Sequence, residues 1–170
     1  IFGEGMTGPG NEQTFIGLVR ACSLNAQKSA IEIGAGLGQL SRWGHEDTGT
    51  YFKAYEPDEE LAKAGSEISV RRGMARKAPV ERVAFEDIQQ RSKSQDAVIA
   101  KEAFHRVSDQ PGLYARINDM LKPNGLLSFT AYVLNGGAQD EAVSRAFPGT
   151  RMPQVQQCRA ELTKAGFDVR

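Results

Sequence analysis

The sequence predicts an α/β fold: an open, doubly wound, mostly parallel sheet with helices on both faces. Three observations carry this. Short apolar runs alternate with amphipathic helical stripes along the chain, a glycine-rich turn links the first run to a helix, and one run is apolar throughout. That run, Asp96-Ala97-Val98-Ile99-Ala100, has the pattern of a strand covered on both faces, which belongs in the middle of a parallel sheet.

The elements follow in order. Residues 1–10, from Ile1-Phe2-Gly3 to Gly8-Pro9-Gly10, are too rich in glycine and proline for regular structure and are expected to form a loop that closes over a site as a lid. Asn11 is expected to cap a first helix reaching about Ser23, with Phe15, Ile16, Leu18, Val19 and Cys22 at helical spacing. Ala30-Ile31-Glu32-Ile33 reads as a first strand. It runs into Gly34-Ala35-Gly36-Leu37-Gly38 and then a helical pattern at Leu37, Leu40 and Trp43. A second strand covers Tyr51 to Tyr55, and Leu61, Ala62 and Ala64 mark the helix after it. A third strand is expected to end near Phe85, and Asp96 to Ala100 forms the fourth. Leu113, Tyr114, Ile117, Met120 and Leu121 make the clearest helical stripe, closed by a turn at Lys122-Pro123-Asn124-Gly125. Leu126 to Leu134 is expected to return as a strand. A Gly-rich insertion over 135–150 follows, then a helix with Val155, Cys158, Leu162 and Ala165 on one face, stopped by Gly166.

Composition excludes several classes of function. The 170 residues carry 21 basic and 21 acidic side chains for zero net charge, scattered rather than grouped, so neither nucleic acid nor an acidic membrane is an expected partner. With 40% hydrophobic residues the chain can bury a real core, and one domain over 1–170 is the simplest organisation. Cys22 and Cys158 stand far apart with no cysteine or histidine cluster. No metal site and no disulfide framework is expected, only small buried side chains. No apolar run approaches the ~18 residues of a membrane span and no leader opens the sequence, so the cytoplasm is the default location. Because Ile1 is not an initiator and Phe167-Asp168-Val169-Arg170 reads as a strand just beginning, the chain is expected to be a domain cut from a longer one.

In such sheets ligands bind beyond the carboxyl ends of the strands, so the residues there are the candidates. Gly34, Gly36 and Gly38 allow a tight turn and close approach of main chain to a ligand. Their spacing is GxGxG, one position short of the dinucleotide fingerprint, which discourages NAD. Glu56 sits at the tip of the second strand, where a carboxylate accepts from both hydroxyls of an unphosphorylated ribose. Pro57 holds it extended. Glu86-Asp87-Ile88 offers an acceptor for an adenine amino group and a main-chain amide for a ring nitrogen. Lys101-Glu102-Ala103-Phe104-His105-Arg106 places four ionisable side chains at the mouth of the buried strand. His105 is the candidate general base and Glu102 the second, while Lys101 and Arg106 are candidates for an anionic group on a substrate. His45 reads as a cap or surface residue, and Tyr132 as either a packing residue or a contact in the reaction zone.

Taken together, these residues resemble the class I S-adenosylmethionine-dependent methyltransferases, which are Rossmann-like. Ala30 to Gly38 is similar to the family's first motif, with Glu32 as its acid and Gly34, Ala35, Gly36 and Gly38 as its turn. Glu56 matches the ribose-binding acid, Asp87 with Ile88 the adenine-contacting pair, and Asp96 to Ala103 the fourth motif, in which main chain near Lys101 faces the methionine part of the cofactor. Leu121 to Leu127 and Leu162 to Phe167 resemble the leads into the fifth and sixth strands. The resemblance implies S-adenosyl-L-methionine as cofactor, S-adenosyl-L-homocysteine as product, in-line methyl transfer without a metal, and a small-molecule methyl acceptor. Ile1 to Gly10 further resembles the segment that closes over the cofactor in small-molecule N-methyltransferases such as the phosphoethanolamine enzymes. Those enzymes place a histidine where this chain has Arg106, so their catalytic assignment is not carried over. Two other readings stand beside this one: a catalytically silent methyltransferase-like domain that binds the cofactor or a partner protein within a larger chain, and an NAD dehydrogenase.

Overall fold

A computed structural model describes residues 5–8, 12–136 and 140–170. It contains five strands, β1 (Ser29–Ile33), β2 (Tyr51–Glu56), β3 (Val80–Arg82), β4 (Gln95–Lys101) and β5 (Leu121–Thr130). Six α-helices accompany them: α1 (Glu12–Arg20), α2 (Gln39–Thr48), α3 (Glu59–Arg71), α4 (Gln110–Met120), α5 (Asp140–Ala146) and α6 (Val155–Lys164). The strands form one parallel sheet in the order β3-β2-β1-β4-β5, the doubly wound arrangement expected. The order in which strands are added reverses between β1 and β4, which opens a crevice at their carboxyl ends.

Alternation along the strands divides the core. Ile31, Ile33, Val98 and Ala100 face one side and meet Leu113, Tyr114, Ile117 and Met120 of α4 with Cys158 and Leu162 of α6. Ala30, Phe52, Ala97 and Ile99 face the other and meet Phe15 and Val19 of α1 with Leu40 of α2. Both cysteines are free and buried. The acidic run after Glu56 is helix chemistry. The Asp58 side chain accepts from the Leu61 amide, and Glu59 and Glu60 lie in the first turn of α3, where negative charge suits the dipole.

Several expectations need correction. α1 is shorter than its apolar pattern, ending at Arg20, and Asn11 lies outside the described residues. β3 stops at Arg82, the partner of the last residue of β2, and Phe85–Asp87 is a 3-10 turn that sends Phe85 into the core. β5 begins at Leu121, and the expected turn at 122–125 is a bulge inside it, because Leu121 and Leu126 pair with Gln95 and Ala97 while Asn124 adopts φ +64°. The strand ends at Thr130, opposite the last residue of β4, so Ala131 to Leu134 have no strand to pair with; Leu134 instead bridges Gln154. The Gly-rich insertion contains α5, and Val155 in α6 is 45% exposed rather than on the buried face. Residues 167–170 form no strand, although Phe167 and Val169 pack against the core.

The glycine turn is fixed from beneath by a buried acid. Glu32 Oε2 accepts from the Ser41 amide at 3.0 Å and the Ser41 hydroxyl at 2.5 Å, tying β1 to the first turn of α2. Burial raises its carboxyl from the ordinary 4.5 to about 7, against the opposing pull of Ser41 and Arg42. The folded protein therefore holds this proton more tightly than the unfolded chain, so stability falls as pH rises from about 4.5 to about 7 and then levels off. Melting temperatures measured across that interval should decline in the wild-type protein, and Glu32→Gln should remove this part of the decline.

Candidate active site

The turn after β1 and the turn after β4 meet face to face. Gly34 has φ +70°, and a side chain there would place its Cβ 2.4 Å from that of Ala103, so only glycine lets the two turns touch. The Gly34 and Ala35 amides both donate to the Tyr55 carbonyl, at 2.8 and 3.0 Å, which folds the turn back over β2. Gly36, with φ +55°, is covered by Thr7, whose Oγ1 lies 2.7 Å from where a Cβ would stand. The described part of the N-terminal segment thus rests on the glycine turn, while Ile1 to Glu4, Pro9 and Gly10 lie outside the described residues.

Glu56 is aimed at that turn. Its side chain is fully buried; Oε2 accepts from the Gly36 amide at 2.7 Å, and Oε1 accepts from the Asp58 amide at 3.1 Å and from Arg106 Nη2 at 3.2 Å. The Arg106 guanidinium also lies over the Phe85 ring, 5.5 Å from its centroid. The pairing of an acid after β2 with an arginine after β4 leaves no trace in the sequence, since nothing in either motif requires it.

A cavity of about 1080 Å³ opens between the two turns, at the upper end of ligand-pocket sizes. Glu32, Gly34, Ala35, Gly36, Lys101, Glu102, His105 and Arg106 line it, so one space collects most of the candidates. Gly38 caps the start of α2. Like Gly38, the residues Glu56, Pro57, Asp87 and Ile88 do not line it. Asp87 is exposed at the end of its 3-10 turn, and Ile88 is packed into the core. Arg106 is the side chain through which the cavity reaches Glu56.

The mouth beyond β4 carries a connected set of polar groups. Glu102, held at φ +51°, accepts at Oε2 from Lys101 Nζ at 3.0 Å and from the Tyr132 hydroxyl at 3.1 Å. Lys101 Nζ also sits 5.1 Å from the centroid of Phe15. His105 meets Tyr132 edge to face at 5.2 Å. Burial and the neighbouring Arg106 charge lower the His105 pKa below the ordinary 6.5, opposed by the main chain and carboxylate of Glu102. Tyr132 therefore does more than pack.

A second network, missed by the sequence reading, supports this turn from behind. Gln110 Nε2 donates to the Phe104 and Arg151 carbonyls, each at 2.8 Å, the Arg151 amide donates to the His105 carbonyl at 2.8 Å, and the Arg151 guanidinium pairs with Glu161. His45 closes α2, with Nδ1 2.9 Å from the Thr50 carbonyl. Among the described residues, no three His, Cys, Asp or Glu side chains gather as metal ligands, and no helix is long and apolar enough to cross a membrane.

No curated protein matches the sequence. Among solved structures, the chain is similar to phosphoethanolamine N-methyltransferase 2 of Haemonchus contortus, in complex with phosphomonomethylethanolamine and S-adenosylhomocysteine. The identity is 20%, over 98% of this chain and 39% of that one, with a TM-score of 0.88. It is similar to geranyl diphosphate C-methyltransferase of Streptomyces coelicolor at 13% identity, over 90% of this chain and 57% of that one, with a TM-score of 0.78. The cyclase SpnF matches at 17% identity over 94% of this chain and 58% of its own, with a TM-score of 0.79. The chain thus spans 39% to 58% of the lengths of these proteins, and the likeness is one of fold. The methyltransferase-domain family profile matches residues 31–129, which hold both turns and the acid between them. With more than half its length inside that profile, the chain belongs to the methyltransferase-domain family, as its motifs lead one to expect.

Proposed function

We propose that this chain is an S-adenosylmethionine-dependent methyltransferase that acts on a small-molecule acceptor. The observation that carries the reading is the Glu56 carboxylate, buried at the end of β2 and turned back onto the Gly36 amide. It is an acceptor for a ribose diol beside main chain free of side chains. Gly34 to Gly38, with Ala35, provide the close-approach surface, and main chain at Lys101 borders the methionine part. Asp87 and Ile88 stand outside the cavity wall and are not assigned to the cofactor, while Pro57 fixes the direction of Glu56. Glu32 acts as a positioning residue, since its carboxylate is committed to Ser41.

When bound, the cofactor would supply an electrophilic methyl on its sulfonium for in-line transfer to the acceptor, with S-adenosylhomocysteine as the product. The protein aligns the two and excludes water, an effect worth up to roughly 7–11 kcal/mol. His105 takes the acceptor's proton. It lines the cavity, and its lowered pKa keeps it unprotonated at neutral pH. Glu102 is the second candidate. The balanced charge supports a small acceptor over nucleic acid, and the two free cysteines suit a cytoplasmic setting.

One observation favours the alternative, a silent domain that binds cofactor or a partner within a larger chain. Arg106 sits on Glu56 where the histidine of related N-methyltransferases is replaced.

Calorimetric titration with S-adenosylhomocysteine tests the reading, and absence of binding refutes it. Glu56→Gln keeps an acceptor for Gly36 but loses the charge, and should weaken that binding about tenfold, the value of a hydrogen bond to a charged group. NMR titration of the two histidines should give His105 a midpoint below 6.5, and Arg106→Gln should raise it by removing the neighbouring charge. With an acceptor in hand, His105→Asn should lower kcat about 10²-fold and abolish the acid limb of the rate profile.

A further inference from the structure

Arg106 stands on the oxygen that a ribose needs. Glu56 Oε2 is taken by the Gly36 amide, and Oε1 by the Asp58 amide and Arg106 Nη2. Both amides belong to the local main chain, so Arg106 is the partner on Glu56 that a ligand can displace. It also has somewhere to go, because its side chain is 39% exposed and lines the cavity.

The other cation at the mouth is already committed. Lys101 is bonded to Glu102, which also accepts from Tyr132, so that cluster is neutral and satisfied. Among the described residues that line the cavity, a guanidinium released from Glu56 would be the one Lys or Arg cation without a bonded carboxylate. An uncompensated charge in a partly buried site is costly until it meets a counter-ion. S-adenosylmethionine makes this sharper, because its sulfonium and ammonium outweigh its carboxylate and leave it with a net positive charge.

Resting on the methyltransferase reading, we propose that Arg106 is the specificity residue for an acceptor bearing a carboxylate or phosphate, and that it couples the two ligands. The ribose displaces Arg106 from Glu56, and the freed fork of donors takes the anionic group of the acceptor. Cofactor binding prepares the acceptor site. By reciprocity, an anion in that site strengthens cofactor binding by the same factor.

The test needs no identified acceptor. Wild-type protein, Arg106→Gln and Arg106→Lys are titrated with S-adenosylhomocysteine at fixed ionic strength, in chloride and then with inorganic phosphate or acetate replacing part of it. In the wild type, one of the two anions should raise affinity about fivefold, the lower end of ordinary coupling, and which of them does so separates phosphate from carboxylate acceptors. Arg106→Gln should bind S-adenosylhomocysteine several-fold more tightly in chloride, because the competitor is gone, and should lose the anion effect. Arg106→Lys keeps the charge without the fork and should show a smaller anion effect. If Arg106→Gln binds no more tightly than wild type, or if anions act equally on both proteins or on neither, the proposal is overturned. Failure of S-adenosylhomocysteine to bind any of the three would overturn the methyltransferase reading as well, so the two failures can be told apart.

Discussion

A carboxylate removed from water must be surrounded by donors, and the arrangement of this site follows from meeting that demand at Glu56. Two of its donors are main-chain amides, Gly36 in the turn after β1 and Asp58 before α3, so one side chain locks the ends of β1 and β2 to each other. The same device recurs one strand over, where Glu32 gathers the amide and hydroxyl of Ser41. Between them the two acids fix both limbs of the glycine turn. Each can do so only because the turn has few side chains to interpose.

The half of the site built from β4 is held differently. Its contact with the glycine turn is steric, Gly34 against Ala103, and its position comes from behind, through Phe104 wedged among Tyr114 and Phe129. Gln110 and Arg151 then hold the carbonyls of Phe104 and His105. The β1 side is therefore set by buried charge and the β4 side by packing and neutral hydrogen bonds. Among the described residues, the Arg106–Glu56 pair is the one ion pair that crosses from the second to the first, and it crosses at the point where a ribose is expected.

The sheet was legible because its signals are local. Alternation of apolar runs, the continuous run of β4 and the stripe of α4 each depend on residues close in sequence, whereas the strand order is carried by the pairing of distant segments. Boundaries set by partners were not legible. β3 stops at Arg82 because β2 ends opposite it, and β5 stops at Thr130 because β4 does, whatever apolar residues follow. The same divide runs through the site. Glu56, His105 and the three glycines were made candidates by their place at strand ends. The Arg106 to Glu56 pair and the support from Arg151 and Gln110 join residues far apart in the chain, and no spacing rule predicts them.

Fold alone leaves the chemistry open, since a cyclase and two methyltransferases share this architecture at 20% identity or less. What distinguishes such proteins must lie where main chain gives way to side chains, and here that boundary is sharp. The wall after β1 offers a glycine turn and main-chain amides. The opposite side offers His105, Tyr132, Glu102 and Lys101 in contact with one another, with charges already paired. Lys101 and Glu102 neutralise each other there, while among the described residues His105 Nδ1 is buried without a hydrogen-bond partner, and a charge formed on that ring is one that Glu102 is placed to oppose. The geometry thus separates two kinds of wall: beneath the glycine turn buried acids hold main chain in place, and beyond β4 ionisable side chains meet the cavity directly.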